Sequence, residues 1–287
     1  MESTFFETNG IRLHAMQAGP EGGRLLILLH GFPEFWRGWI HQIEPLASAG
    51  YYVLAPDQRG YNLSDKPEDM EAYVLEELGK DITGLIRAAG RQKAVIIGHD
   101  WGGIVAWWLG IHSPDLLEKL VIINAPHPGV MRRTLIYNPG QAIRSSYALF
   151  FQLPWIPEAI SRNDDWRLVE KALHESSRSG TFSDSDLEYY RESWWRKGAF
   201  TAMLNWYRAN ARIQPDLPED SRVRVPTLLI WGNKDLALGE HLVEPSIEMC
   251  DHGRVEQFEE ASHWVQHEEA ERVNQLILDF VGEEDLA

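Results

Sequence analysis

GHDWGG, residues 98–103, is the stretch on which the fold turns. It follows the apolar run AVIIGH (residues 94–99) and opens the helix-like segment 102–112. Small residues stand two before and two after Asp100. A strand that turns sharply into a helix needs them, because larger side chains would collide where the backbone folds back. Such a turn holds one side chain at the top of a sheet, and here it is a carboxylate. Read alone, the same pattern also fits an aspartate that caps a helix in a dinucleotide-type turn, so the surrounding sequence has to decide.

Outward from this turn, further compact apolar runs occur at 25–30 (LLILLH), 51–56 (YYVLAP), 120–126 (LVIINAP) and 227–232 (TLLIWG), with RVEQFEE at 254–260. The first of these are almost wholly apolar rather than alternating, as in strands buried on both faces. Helical patterns at 39–49, 70–89 and 102–112 separate them, and another falls at 268–281. Runs 4–8 and 11–18 flank Asn9-Gly10, a hairpin signal, because both turn positions need positive φ. The alternation predicts an α/β fold: a mostly parallel central sheet with helices on both faces. Between 127 and 215 no buried-strand run occurs, and the segment holds 14 of the 31 aromatic side chains. The expected organisation is a core formed by residues 1–126 and 216–287, with a helical lid at 127–215 inserted after the sixth strand.

Composition narrows the function. With 27 Lys and Arg against 43 Asp and Glu, the formal charge is −16. That balance argues against nucleic acid and fits poorly with anionic membranes or anionic substrates. The single Cys250 can form no internal disulfide, which suits a reducing compartment. No signal peptide or long apolar span is visible, so a cytoplasmic location is the expectation. Monomer and homodimer both stay open.

The chemistry follows from the residue type at the turn. A carboxylate is already an anion at neutral pH, and the following helix N-terminus favours that form. Its attack on an acyl carbon would give an anhydride and gain little. Its attack on a saturated carbon bearing a leaving group gives an alkyl ester that water then cleaves, two easier steps in place of one. Epoxides and alkyl halides are therefore the expected electrophiles, with no cofactor and no metal. The second step needs a base, and a histidine suits it. Of eleven histidines, His263 in EEASHW lies just after the last strand run, and TLLIWGNKDLAL places Asp235 just after the preceding one. The other place for an acid, just after LVIIN, holds Asn124.

HGFPEFW (30–36), GHDWGG and the loops carrying Asp235 and His263 occur in the order found in epoxide hydrolases of the α/β-hydrolase fold, which the chain resembles over nearly its whole length. The resemblance implies that Asp100, Asp235 and His263 act as nucleophile, acid and base, and that the backbone amides of Phe32 and Trp101 form the oxyanion hole. It implies two lid tyrosines that donate to the epoxide oxygen. RSSYALFFQLPW aligns Tyr147 with the first, and LNWYRAN aligns Tyr207 with the second. His30 reads as a brace for its loop. The remaining lid aromatics suggest an apolar pocket for a small apolar epoxide. The family often has glycine where Asn62 stands in RGYNLSDKP, and Asn tolerates the same left-handed backbone, so little consequence is expected. Haloalkane dehalogenases share the fold and nucleophile and are the alternative. They commonly hold halide with Trp or Asn beside the oxyanion loop, where this chain has Pro33. A non-catalytic receptor on the same fold would typically have lost part of the triad.

Overall fold

The computed structural model describes residues 1–283. Eight strands, β1 (Glu2–Thr8), β2 (Ile11–Ala18), β3 (Leu25–Leu29), β4 (Tyr52–Pro56), β5 (Ala94–His99), β6 (Leu117–Ile123), β7 (Thr227–Gly232) and β8 (Gly253–Phe258), form one sheet in the order β1-β2-β4-β3-β5-β6-β7-β8. β1–β2 and β2–β4 pair antiparallel, and every later pair is parallel. This is the α/β-hydrolase architecture that the alternation predicted.

The all-apolar strands are explained by what each face meets. Leu25, Ile27 and Leu29 of β3 and Ile96 of β5 point to one core, while Leu26, Leu28, Val95 and Ile97 point to the other. Alternate residues thus enter opposite layers, and neither face meets water. One layer contains α1 (Ile40–Ser48) and, at the C-terminal end of the chain, Val273, Ile277 and Phe280. The other contains α2 (Leu75–Ala88) and α3 (Trp101–His112).

Between β6 and β7 the chain forms seven helices: α4 (Pro128–Tyr137), α5 (Pro139–Arg144), α6 (Tyr147–Phe150), α7 (Ile156–Arg162), α8 (Arg167–Ser176), α9 (Asp184–Trp195) and α10 (Ala199–Arg212). Their buried aromatics, among them Trp166, Trp194, Phe200 and Trp206, belong to the same continuous core as α2 and α3. After β7 come α11 (Val243–Ile247), α12 (Val265–Glu268) and α13 (Ala270–Gly282).

Two boundaries differ from the sequence reading for identifiable reasons. β6 stops at Ile123 because Asn124 takes a left-handed backbone, φ +41°. The expected helix 70–89 divides into a 3-10 turn, Met70–Tyr73, and α2, with Val74 extended between them. The cap for α2 comes from far along the chain. Asn210 of α10 accepts from Leu75 N at 2.9 Å and donates to Tyr73 O at 3.0 Å. Replacing Asn210 with Ala leaves both backbone groups without that partner. Urea denaturation is expected to show a loss of about 1–3 kcal/mol, and an unchanged midpoint would refute the capping role.

Candidate active site

The turn between β5 and α3 is as sharp as the sequence requires. Asp100 has φ +52° and ψ −121°, a costly backbone for a residue with a Cβ. A Cβ on Gly98 would overlap the Gly102 carbonyl, and one on Gly102 would overlap the carbonyls of Leu29 and His30. The loop after β3 comes just as close from the other side, since a Cβ on Gly31 would overlap the Asp100 side chain. Phe32 N donates to Asp100 Oδ1 at 2.8 Å, across a loop whose Phe32–Pro33 peptide is cis. Trp101 begins α3, so its amide lies at a helix N-terminus. His30 braces this loop: its Nδ1 donates to Gly31 O at 3.0 Å, and its Nε2 accepts from Gln58 N at 3.0 Å. Burial lowers its pKa, in keeping with a neutral ring that donates on one side and accepts on the other.

The other two expected residues meet Asp100 from neighbouring loops. Asn233 N donates to Phe258 O and Lys234 N to Ala261 O, which fastens the loop after β7 to the loop after β8. His263 Nδ1 then donates to Asp235 Oδ2 at 2.6 Å, and His263 Nε2 stands 3.7 Å from Asp100 Oδ2. Asp235 Oδ1 accepts from Ala237 N and Leu238 N at 2.8 and 2.9 Å. Burial alone would raise the Asp235 carboxyl, but the charge of His263, its hydrogen bond, and those from Leu238 N and Asn124 hold it below the usual range. For His263 burial acts downward. The surrounding charges of Asp235, Asp100 and Glu34 outweigh it and push the imidazole up to about 9.

Tyr207 of α10 lies beside Phe32 and Trp101, with ring centroids at 5.3 and 5.1 Å. Tyr147, at the start of α6, lies 6.1 Å from Tyr207. Both line, with Asp100, a cavity of about 680 Å³ whose walls include Ile104, Met131, Leu149 and Leu238. Burial, and then nearby negative charge including that of Asp100, raises both phenols, so they remain protonated donors. The seven expected site residues are therefore brought together at one end of the sheet.

A family model described as the α/β-hydrolase fold matches residues 24–270. The chain is 50% identical to AB hydrolase superfamily protein YfhM of Bacillus subtilis, covering 96% of each chain. It is 38% identical to epoxide hydrolase 4 of Homo sapiens, covering 96% of this chain and 77% of that one. A solved variant of an epoxide hydrolase from Bacillus megaterium superposes with a TM-score of 0.89 at 30% identity, over 98% of this chain and all of that one. The chain belongs to the epoxide hydrolase family of the α/β-hydrolase fold. It is a hydrolase.

Several residues around this epoxide-hydrolase site were not apparent from the sequence. Asn124 was read only as the absence of an acid. Its side chain donates to Asp235 Oδ2 at 2.8 Å and accepts from Gly232 N at 2.8 Å, so it holds the acid in place. Behind His263 is a buried polar cluster. His99 Nε2 donates to the His263 carbonyl at 2.9 Å, and Glu34 accepts from Tyr190 Oη at 2.6 Å and from His267 Nε2 at 2.8 Å. Burial opposes ionisation of Glu34, but His267 and then His99 hold it well below the usual carboxylate range. Glu34 and His99 lie inside the quoted motifs, which was the one signal available. Asn62 does take φ +36°. It also donates to Asp57 and accepts from Arg196, links that glycine could not make, so the expectation of little consequence is corrected.

The charge of Asp100 is one of those that raise His263. In Asp100→Asn, His263 is expected to titrate lower than it does in the wild-type protein, because a positive ring loses a negative neighbour. NMR titration of the imidazole tests this, and an equal or higher midpoint would remove the coupling.

Proposed function

We propose that the protein hydrolyses a small apolar epoxide to a vicinal diol through an alkyl ester on Asp100. The observation that carries this reading is the shared cavity: the Asp100 carboxylate and two protonated phenols line it together, with a histidine–aspartate pair beside the carboxylate. An epoxide needs a push on carbon and a proton at oxygen. Asp100 attacks one ring carbon, the C–O bond breaks, and Tyr147 or Tyr207 gives its proton to the oxygen.

The ester carries no charge, so His263 loses one of the charges that hold its proton. The proton it sheds restores the tyrosine. The neutral imidazole, oriented by Asp235, then takes a proton from water as that water attacks the ester carbon. The oxyanion forms on Oδ1, where Phe32 N already donates, with the amide of Trp101, the first residue of α3, as the proposed second donor. Collapse breaks the bond between the Asp100 carboxyl carbon and the ester oxygen joined to the substrate, His263 returns its proton to the departing alcohol, and the carboxylic acid left on Asp100 passes its proton to His263, which restores the starting state. Residues 127–215 serve as the lid that carries the two donors, over the core formed by 1–126 and 216–287.

His263→Gln is expected to trap the ester, because alkylation precedes the need for a base. Mass spectrometry should find the added substrate mass on the peptide containing Asp100. An unmodified peptide with continuing diol release would overturn the scheme. Replacement of both Tyr147 and Tyr207 with Phe should slow ring opening by about 100-fold or more, a range typical of lost general-acid catalysis. Stopped-flow measurement of alkylation reads this directly. Full activity in the double variant, or halide release from an alkyl halide in preference to diol formation, would reject the epoxide reading.

A further inference from the structure

We infer that the α4–α6 face of the helical insertion docks on an anionic lipid surface, with the mouth of the Asp100 cavity turned toward the bilayer. Of seventeen large apolar side chains exposed among the described residues, eight fall within residues 128–157. Ile136, Tyr137, Ile143 and Leu149 are exposed by 68, 79, 73 and 72%. Leu149 and Ile136 also line the cavity, so the exposed patch runs into the mouth of the site. Exposed apolar clusters of this kind mark a partner surface.

Charge selects the partner. No Asp or Glu occurs between Glu118 and Glu158, although the chain has 43 of them. Glu158 itself is buried and bound to Arg208 at 2.7 Å. The same stretch holds Arg132, Arg133 and Arg144. Among the described residues none of the three is paired with a carboxylate, and Arg144 donates to the carbonyls of Asp235 and Leu236. The patch is therefore apolar and basic on a protein of net charge −16. Charges beyond about 8 Å are largely screened at physiological ionic strength. The local sign then governs contact, and the repulsion read from the whole chain does not extend to this face. Exposed apolar side chains that share a stretch with arginines and with no exposed acid match an anionic bilayer interface. A second copy fits less well, because a two-fold contact would set arginine against arginine with no acid in the patch to pair them. Gln214, Pro215 and Leu217, which also line the cavity, stand in a segment that carries Asp216 and Glu219, so the protein would lean onto the α4–α6 side. An apolar substrate dissolved in the membrane would then reach the cavity without crossing water.

The test is sedimentation of the full chain with vesicles of phosphatidylcholine alone, or with about 30% phosphatidylserine. We expect at least about tenfold more protein on the anionic vesicles, reversed by high salt. The triple variant Arg133→Glu, Tyr137→Ser, Ile143→Ser should lose that binding about tenfold while its melting temperature is unchanged. Absence of binding, equal binding to both vesicles, or full binding by a folded triple variant would overturn the proposal. So would a wild-type dimer that the variant dissociates while no lipid is bound. The assay contains no epoxide, so its failure leaves the catalytic reading untouched.

Discussion

The close approach of two backbone turns controls this site. Residues 98–103 fold so tightly that the first residue of the turn and the two at its far side must lack large side chains, and Asp100 sits at φ +52° within it. The loop after β3 presses against the same turn, with Gly31 against the Asp100 side chain and Phe32 N on its Oδ1. Strain of this kind persists only where the surroundings over-determine it. Here the restraints are the parallel ladders of β3, β5 and β6, and the bond from Asp100 N to Ile123 O. One carboxylate oxygen is thereby assigned to backbone amide and the other to His263 before any substrate arrives.

Electrostatics adds a second constraint. A single imidazole is surrounded by Asp235, Asp100 and Glu34, and burial is outweighed by their sum. The three differ in what chemistry can do to them. Asp235 is held by Ala237 N, Leu238 N and Asn124, and Glu34 by Tyr190 and His267. Under the proposed reaction only Asp100 exchanges its charge for a neutral ester. Asp235 keeps the ring oriented and Glu34 adds a fixed charge, while the reactive member changes the ring's proton affinity. Acid and base roles at His263 are then separated by the state of the nucleophile, with no movement of the ring required.

How much of this could be read from the sequence depends on range. β3, β5, β6 and β7 were legible because burial on both faces writes itself into consecutive residues. Asp100, Asp235 and His263 were legible because each follows a strand, and the sheet brings strand ends together. The break at Val74 was not, since its cause is Asn210, 135 positions beyond Leu75. The Glu34 cluster was not either, for it joins residues from the loop after β3, from β5, from α9 and from α12, and no local pattern announces that meeting. Tyr147 and Tyr207 were chosen by resemblance alone. Tyr137 and Tyr189 lie in the same insertion with as much local claim, and they are 79 and 50% exposed.

The insertion is fastened to the core on two sides, by Gln141 and Arg144 of α5 to the loop after β7 and by α9 and α10 to the opposite loops, so the two tyrosines differ in exposure rather than in anchoring. On one side Trp194 donates to Pro33 O, Tyr190 to Glu34, Arg196 to Asn62 and Trp206 to Arg59 O, at 2.6–3.0 Å. These bonds bind α9 and α10 to the loops that follow β3 and β4. Tyr207 follows Trp206 directly and is 8% exposed. Tyr147 begins a helix of four residues and is 38% exposed, at a mouth rimmed by Ile136 and Leu149. One proposed donor is thus buried in the frame, and the other is partly exposed beside the cavity. Under the proposed reaction, a substrate entering beside α6 would find Tyr207 packed against Phe32 and Trp101 and Tyr147 on the exposed side of the cavity.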